Sequence, residues 1–242
     1  MGEQAITLNA VEKRFHHKQV IAPLSLGIPT GQLIGLLGPS GCGKTTLIKL
    51  IMGMLKPDSG TIHVFNYVVP HKQLLMDIGY MAQSDALYTD LTGAENLHFF
   101  AKLYQLSKKE RMERVAYAAH LVRLTDELNN KVMNYSGGMK RRLSLAIALI
   151  QNPKLLILDE PTVGIDPVLK QEIWQELIRL KEQENKTILV TTHAMDEAER
   201  CDQLAILRSG HVLAQGTPNE LKTKYQAKDF DEVFLKAGGT IL

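Results

Sequence analysis

Leu33-Ile-Gly-Leu-Leu-Gly-Pro-Ser-Gly-Cys-Gly-Lys-Thr-Thr46 decides the architecture of this chain. The run from Leu33 to Leu37 carries no charge and is short, the mark of a strand buried on both faces. Glycine then recurs at Gly38, Gly41 and Gly43, and a helical stretch follows in which Leu47, Ile48, Ile51 and Met54 share one face. Gly38, Pro39, Ser40, Gly41, Cys42, Gly43, Lys44, Thr45 and Thr46 meet the G-x-x-x-x-G-K-[ST] spacing of a phosphate-binding loop. The chemistry needs these residue types. Glycines let the backbone curl until successive N–H groups converge on an anion, and the helix N-terminus adds partial positive charge. Lys44 can follow the outer phosphates of a nucleotide, and the Thr45 hydroxyl can ligate Mg²⁺. Ordinary residue frequencies produce the spacing by chance about once in a hundred chains of this length. A strand before it and a helix after it make chance rarer still.

Outward from this stretch, three more apolar runs read as buried strands: Leu155 to Leu158, Thr187 to Thr191 and Leu204 to Leu207. Helical spacing fills the intervals, as in Ile173, Trp174, Leu177 and Leu180. The alternation predicts an α/β fold with a mostly parallel sheet. The start of the chain (Ile6, Leu8, Val11) and residues 60–69 are β-like but short, and read as an antiparallel layer. Residues 85–150 show no strand pattern. Helices are expected there over Ala94 to Tyr104, Lys108 to Val122 and Ser136 to Ile150. The expected organisation is one domain over 1–242, with 1–84 and 151–242 as the core and 85–150 as an all-helical insertion. Ser209-Gly210 between two apolar pairs reads as a hairpin turn.

Bulk properties exclude several classes. A net charge of +2 on 242 residues argues against a nucleic-acid partner. Two cysteines, Cys42 and Cys201, make neither a disulfide framework nor a metal-ligand spacing and fit a reducing compartment. The N-terminus lacks the apolar segment of a secretory signal, and Ile6 breaks the myristoylation pattern that Met1-Gly2 opens. No apolar stretch reaches the roughly 20 residues that cross a bilayer, so any membrane role runs through a partner.

Three other places carry candidate chemistry. Leu155-Leu-Ile-Leu-Asp-Glu160 ends a strand with two adjacent carboxylates, at the sheet edge where open α/β folds bind ligands. Asp159 can face a metal and Glu160 can polarise a water; the competing possibility is a solvated turn. His193, just past another buried run, is either structural or a donor to a terminal phosphate. Ser136-Gly137-Gly138-Met139 opens a helix, either as an ordinary N-cap or as a second anion site. Two anion sites in one domain make sense if the second serves the nucleotide of another copy.

With these motifs in order, the chain resembles the nucleotide-binding domain of ATP-binding cassette (ABC) proteins over essentially its whole length. Tyr135-Ser136-Gly137-Gly138-Met139 is similar to the family's Leu-Ser-Gly-Gly-Gln signature. The resemblance implies a P-loop NTPase core, ATP and Mg²⁺ as cofactors, and hydrolysis by a dimer of nucleotide-binding subunits, like or unlike. It implies adenine stacking on Phe15, metal support from Asp159 and Thr45, and sensing of metal and water by Gln83. Glu160 is implied as general base, and His193 and Lys44 as holders of the terminal phosphate. Ser136, Gly137 and Gly138 are implied to reach the opposite subunit's ATP, and Asp166 to lie in the loop crossing the dimer. Departures from the common pattern are Phe15 for tyrosine, Tyr135 and Met139 in the signature, and Pro161-Thr-Val-Gly-Ile-Asp166 after the carboxylates. None removes a catalytic group.

Three functions follow: the energising subunit of a transporter whose membrane permease is a separate chain, a soluble ABC ATPase acting on nucleic acid or ribosomes, and a regulatory scaffold without turnover. The second group usually carries a coiled-coil insertion or fused cassettes, and the third predicts loss of Glu160 or His193; this sequence has neither feature. Transport is expected, at the cytoplasmic face of the membrane. Val163-Gly-Ile-Asp-Pro167 and the short stretch over 217–242 resemble the bacterial exporters of drugs, antibiotics or lipids.

Overall fold

The computed structural model describes residues 3–84 and 86–238. Met1-Gly2, where the myristoylation pattern falls, lies outside them. The described chain forms two compact units, one from residues up to 74 together with 187 onward, the other from 75–186.

In the first unit, β1 (Gln4–Phe15), β2 (Lys18–Pro29), β4 (Ser59–Val64) and β5 (Tyr67–Val68) form an antiparallel sheet in the order β2-β1-β4-β5. The expected antiparallel layer is present, but its strands are not short: β1 and β2 have 12 residues each. β2 escaped notice because Pro23 and Pro29 interrupt its pattern. It sits at the sheet's edge, where a residue without an N–H removes no ladder bond. A second sheet centres on β3 (Leu33–Leu37), flanked in parallel by β8 (Thr187–Thr192) and β9 (Gln203–Arg208), with β10 (His211–Gly216) antiparallel to β9. Every residue of β3 and β8 is buried, which is why both read as unbroken apolar runs. Ser209 and Gly210 turn β9 into β10 with positive φ at both positions, the conformation that a two-residue hairpin demands.

Helix α1 (Lys44–Ile51) buries Leu47, Ile48, Leu50 and Ile51. Met54 does not share that face: the helix has ended and its side chain is 55% exposed. Three short helices complete the unit: α7 (Met195–Ala198), α8 (Pro218–Lys224) and α9 (Phe230–Ala237).

The one-turn helix α2 (Leu74–Asp77) leads along the chain into the second unit. There β6 (Ile78–Met81) pairs in parallel with β7 (Leu155–Asp159), in the register Met81 to Leu158. β6 was not expected, for its four residues include Gly79 and Tyr80 and carry no apolar run. Three helices follow close to their expected bounds: α3 (Gly93–Leu103), α4 (Lys108–Leu121) and α5 (Gly137–Leu149). Thr92 with Glu95, and Ser107 with Glu110, form reciprocal capping boxes that satisfy the first N–H groups of α3 and α4. α6 (Pro167–Glu184) buries Ile173, Trp174, Leu177 and Leu180, the stripe its periodicity predicts.

Candidate functional site

Two groups of candidate side chains stand apart in the chain, one in each unit, and each has its own geometry. In the first unit the parallel register sets Leu37 of β3 beside Thr192 of β8, so the phosphate-binding loop and His193 leave the sheet at the same edge. Gly38 and Pro39 line a cavity of about 130 Å³ with His193, Met195 and Phe234 of α9. Lys44 is the first residue of α1 and is only 6% exposed. Its ammonium donates to the Gly38 carbonyl at 2.7 Å and the Pro39 carbonyl at 3.1 Å. A buried cation held by two neutral dipoles keeps most of its charge unbalanced, and an entering phosphate competes for it on favourable terms.

The loop's glycines answer to space as well as to φ. Gly43, at φ 114°, leaves 2.7 Å between an added Cβ and Ile21 Cδ1. Gly38 would set a Cβ 2.3 Å from the Leu207 carbonyl oxygen and 2.6 Å from Cys42 Sγ. Cys42 is thus packed inside the loop. Burial pushes its thiol up from the usual range, and the charge of Lys44 pulls it only part of the way back. The loop is propped from behind by the β9–β10 turn: the Gly210 N–H donates to the Cys42 carbonyl at 3.0 Å, and the Gly210 carbonyl accepts from Ala22 at 3.0 Å. Phe15 lies at the end of β1, 41% exposed, with the Lys13 ammonium 5.6 Å from its ring centroid. It is not among the residues lining the cavity.

In the second unit, β6 and β7 release Gln83, Asp159 and Glu160 at neighbouring strand ends. Asp159 is buried, and its charge, after the larger effect of burial, helps push the Tyr80 phenol up. Glu160 has φ 53°, a left-handed conformation that costs a non-glycine residue about 1–2 kcal/mol. Gln83 is exposed, and α3 begins ten residues further on, at Gly93. Ser136 caps α5, its hydroxyl accepting from the Met139 N–H at 3.2 Å. An added Cβ at Gly137 meets nothing within 4 Å, while at Gly138 it would lie 3.1 Å from the Gly164 carbonyl. The signature therefore sits against the loop that leads to Asp166, which itself caps α6 by accepting from Leu169 at 3.0 Å.

A family model described as ABC transporter matches residues 21–163, more than half of the chain. The chain belongs to the ABC transporter family. It is similar to the Nod factor export ATP-binding protein I of Rhizobium meliloti (strain 1021), with 44% identity over 220 residues, 90% of this chain and 65% of that protein. The chain thus spans just under two thirds of the length of that relative. Its fold is similar to a solved ATP-binding subunit of an ABC transporter, with a TM-score of 0.90 and 27% identity over 97% of this chain and 100% of the other. A dimeric ATP-binding cassette in a post-hydrolysis state, bound to ADP and Pi, matches with a TM-score of 0.81 and 27% identity over 88% of this chain and 98% of that one.

Sequence reasoning passed over two features of this ABC cassette. The Ser209-Gly210 turn was legible as a hairpin, but not as the prop of the phosphate loop. Arg141, four residues into α5 from Gly137, shows in the sequence only as one member of the basic cluster Lys140-Arg141-Arg142. It is 7% exposed, and its guanidinium reaches the carbonyls of Ala82 and Gln83 at 2.7 and 3.0 Å and those of Asp159 and Glu160, the latter at 2.7 Å. Arginine is almost never this buried unless paired, and that rule is the one signal that could have singled it out.

Proposed function

We propose that this chain binds Mg·ATP at the loop around Lys44 and hydrolyses it, as the energising subunit of an exporter whose membrane permease is a separate chain. The observation that carries this is the buried Lys44 ammonium held on the carbonyls of Gly38 and Pro39, two residues that line a cavity with His193. Family membership supports it, as do a relative named for export and a neighbour solved as a dimer with ADP and Pi. Among the described residues no helix is long and apolar enough to cross a membrane.

In this reading residues 1–84 and 151–242 act as one core and 85–150 as its helical insertion. Thr45, Gln83 and Asp159 carry hard oxygen donors of the kind Mg²⁺ prefers and are the residues that would hold it. The ion would offset phosphate charge as the terminal group leaves. Glu160 orients and deprotonates the attacking water, His193 and Lys44 hold the terminal phosphate, and Phe15 offers its exposed ring to adenine. Ser136, Gly137 and Gly138 present a capped helix N-terminus, open at Gly137, to the nucleotide of a second cassette. Tyr88 and Phe99, both exposed and 4.8 Å apart edge to face, offer the permease an apolar contact.

Complementation tests the arrangement. A Lys44→Ala chain and a Ser136→Arg chain are each expected to be inactive, the latter because a cation then stands at a helix N-terminus. Mixed as verified heterodimers, they place both lesions in one composite site and leave the other intact, so ATPase activity should return. Background activity in confirmed heterodimers would contradict independent composite sites.

A further inference from the structure

We propose that Arg141 is a positioning residue for hydrolysis: its guanidinium sets the backbone of the Gln83 loop and of the Asp159-Glu160 turn in one register with the signature helix. The proposal rests on the assignment of Glu160 as base. A guanidinium has four terminal N–H bonds in a planar fork. Here Nη1 donates to Ala82 and Gln83, and Nη2 to Asp159 and Glu160. Each nitrogen serves one of two paired strands, β6 and β7, just where those strands end. Beyond Met81 and Leu158 the ladder of the pair stops, and the arginine continues it with a side chain.

The consequence for chemistry lies at Glu160. Its φ of 53° persists only if surrounding contacts over-determine it, and Arg141 binds the carbonyls of that residue and of the one before it. The same side chain holds the Gln83 carbonyl, so the base and the metal-sensing amide cannot shift independently. Arg141 also belongs to α5, whose N-terminus is Ser136-Gly137-Gly138. A displacement of the signature end of that helix is therefore carried to both loops by one rigid group. Neither lysine nor glutamine reproduces this: each has a single donor nitrogen, and one nitrogen cannot span both strand ends.

The test is Arg141→Lys, with Arg141→Gln as a second variant, measured for ATP affinity, KM, kcat and the urea midpoint. Mispositioning lowers kcat by about 10–10²-fold while ATP affinity and KM stay within about threefold. In a Glu160→Gln background the same substitution should lower the residual rate by a smaller factor, because the base is already gone and only the placing of the Gln83 loop remains to be lost. The proposal is overturned if kcat in a folded variant is unchanged, if the loss is equal in both backgrounds, or if affinity and stability fall in step with kcat. Failure of both variants to fold also overturns it, leaving Arg141 a scaffold residue. Normal turnover by Glu160→Gln alone is a separate result that removes the base assignment and not the arginine's contacts.

Discussion

Gly93 and Tyr135 make a pair whose coupling can be worked out before it is measured. Gly93 opens α3 and Tyr135 precedes the signature serine; an added Cβ at Gly93 would lie 2.3 Å from Tyr135 Oη and 3.3 Å from Cζ. That hydroxyl donates to the Glu127 carbonyl at 2.7 Å, and the ring is 5% exposed, so the hydroxyl has little freedom to retreat. Gly93→Ala gains about 0.5–1 kcal/mol from the lost flexibility of glycine in the unfolded chain. Against that, forcing a methyl into the hydroxyl costs about 1–3 kcal/mol. The net expectation is a loss of about 1–2 kcal/mol. Tyr135→Phe loses one hydrogen bond, about 1 kcal/mol, because the Asn130 N–H still donates to the same carbonyl at 3.0 Å and leaves it satisfied. In the double variant the clash with oxygen is gone and Cζ at 3.3 Å needs to give only a few tenths of an ångström. Its stability should fall within about 1 kcal/mol of wild type, where additivity predicts a loss of about 2–3, a coupling of about 1–2 kcal/mol. The chain's single tryptophan, Trp174, is fully buried in the same unit as both residues, so its fluorescence in a urea titration follows the relevant transition. Additivity within about 0.5 kcal/mol, or a neutral Gly93→Ala, would refute the contact between Gly93 and Tyr135 as the reason for glycine here.

Two further outcomes follow from the same structure. Cys42, packed in the phosphate loop with its thiol pushed up by burial, should be alkylated by iodoacetamide at pH 7.5 at least about tenfold more slowly than a free thiol, read by mass spectrometry of the loop peptide; labelling at the free rate would contradict its packing. Glu95 accepts from the Thr92 N–H at 2.7 Å and is held below the usual carboxylate range by bonds to the Thr92 backbone and hydroxyl. Because the folded form is the stronger acid, its stabilisation is present above that range and is lost as pH falls through it; Glu95→Gln should therefore narrow the gap between urea midpoints at pH 7 and pH 3.5, and an unchanged gap counts against this capping box.

Much of this molecule is legible without coordinates because its information is local. A run of apolar residues can be read as a buried strand wherever both faces are covered, as in β3 and β8. The phosphate loop is a contiguous spacing, and Thr92 with Glu95 or Ser107 with Glu110 announce helix starts within four residues. β2 and β6 were not legible for the converse reason. An edge strand tolerates proline, and a four-residue strand containing glycine has no pattern to show.

Within the site, the sequence by itself determined which chemical groups exist and in what order: a lysine after glycines, two carboxylates ending a strand, a serine capping a helix. Only the tertiary structure decided what holds them. It set His193 beside Gly38, because two strands far apart in the chain run in parallel register. It buried the Cys42 thiol in the loop, and it placed Gly210 behind that loop as a backbone donor. It also turned Arg141 from one member of a basic cluster into the ligand of carbonyls from two strand ends. Backbone carbonyls are common to every residue and carry no sequence signal. Which of them a buried guanidinium meets is settled only when helix and strands pack.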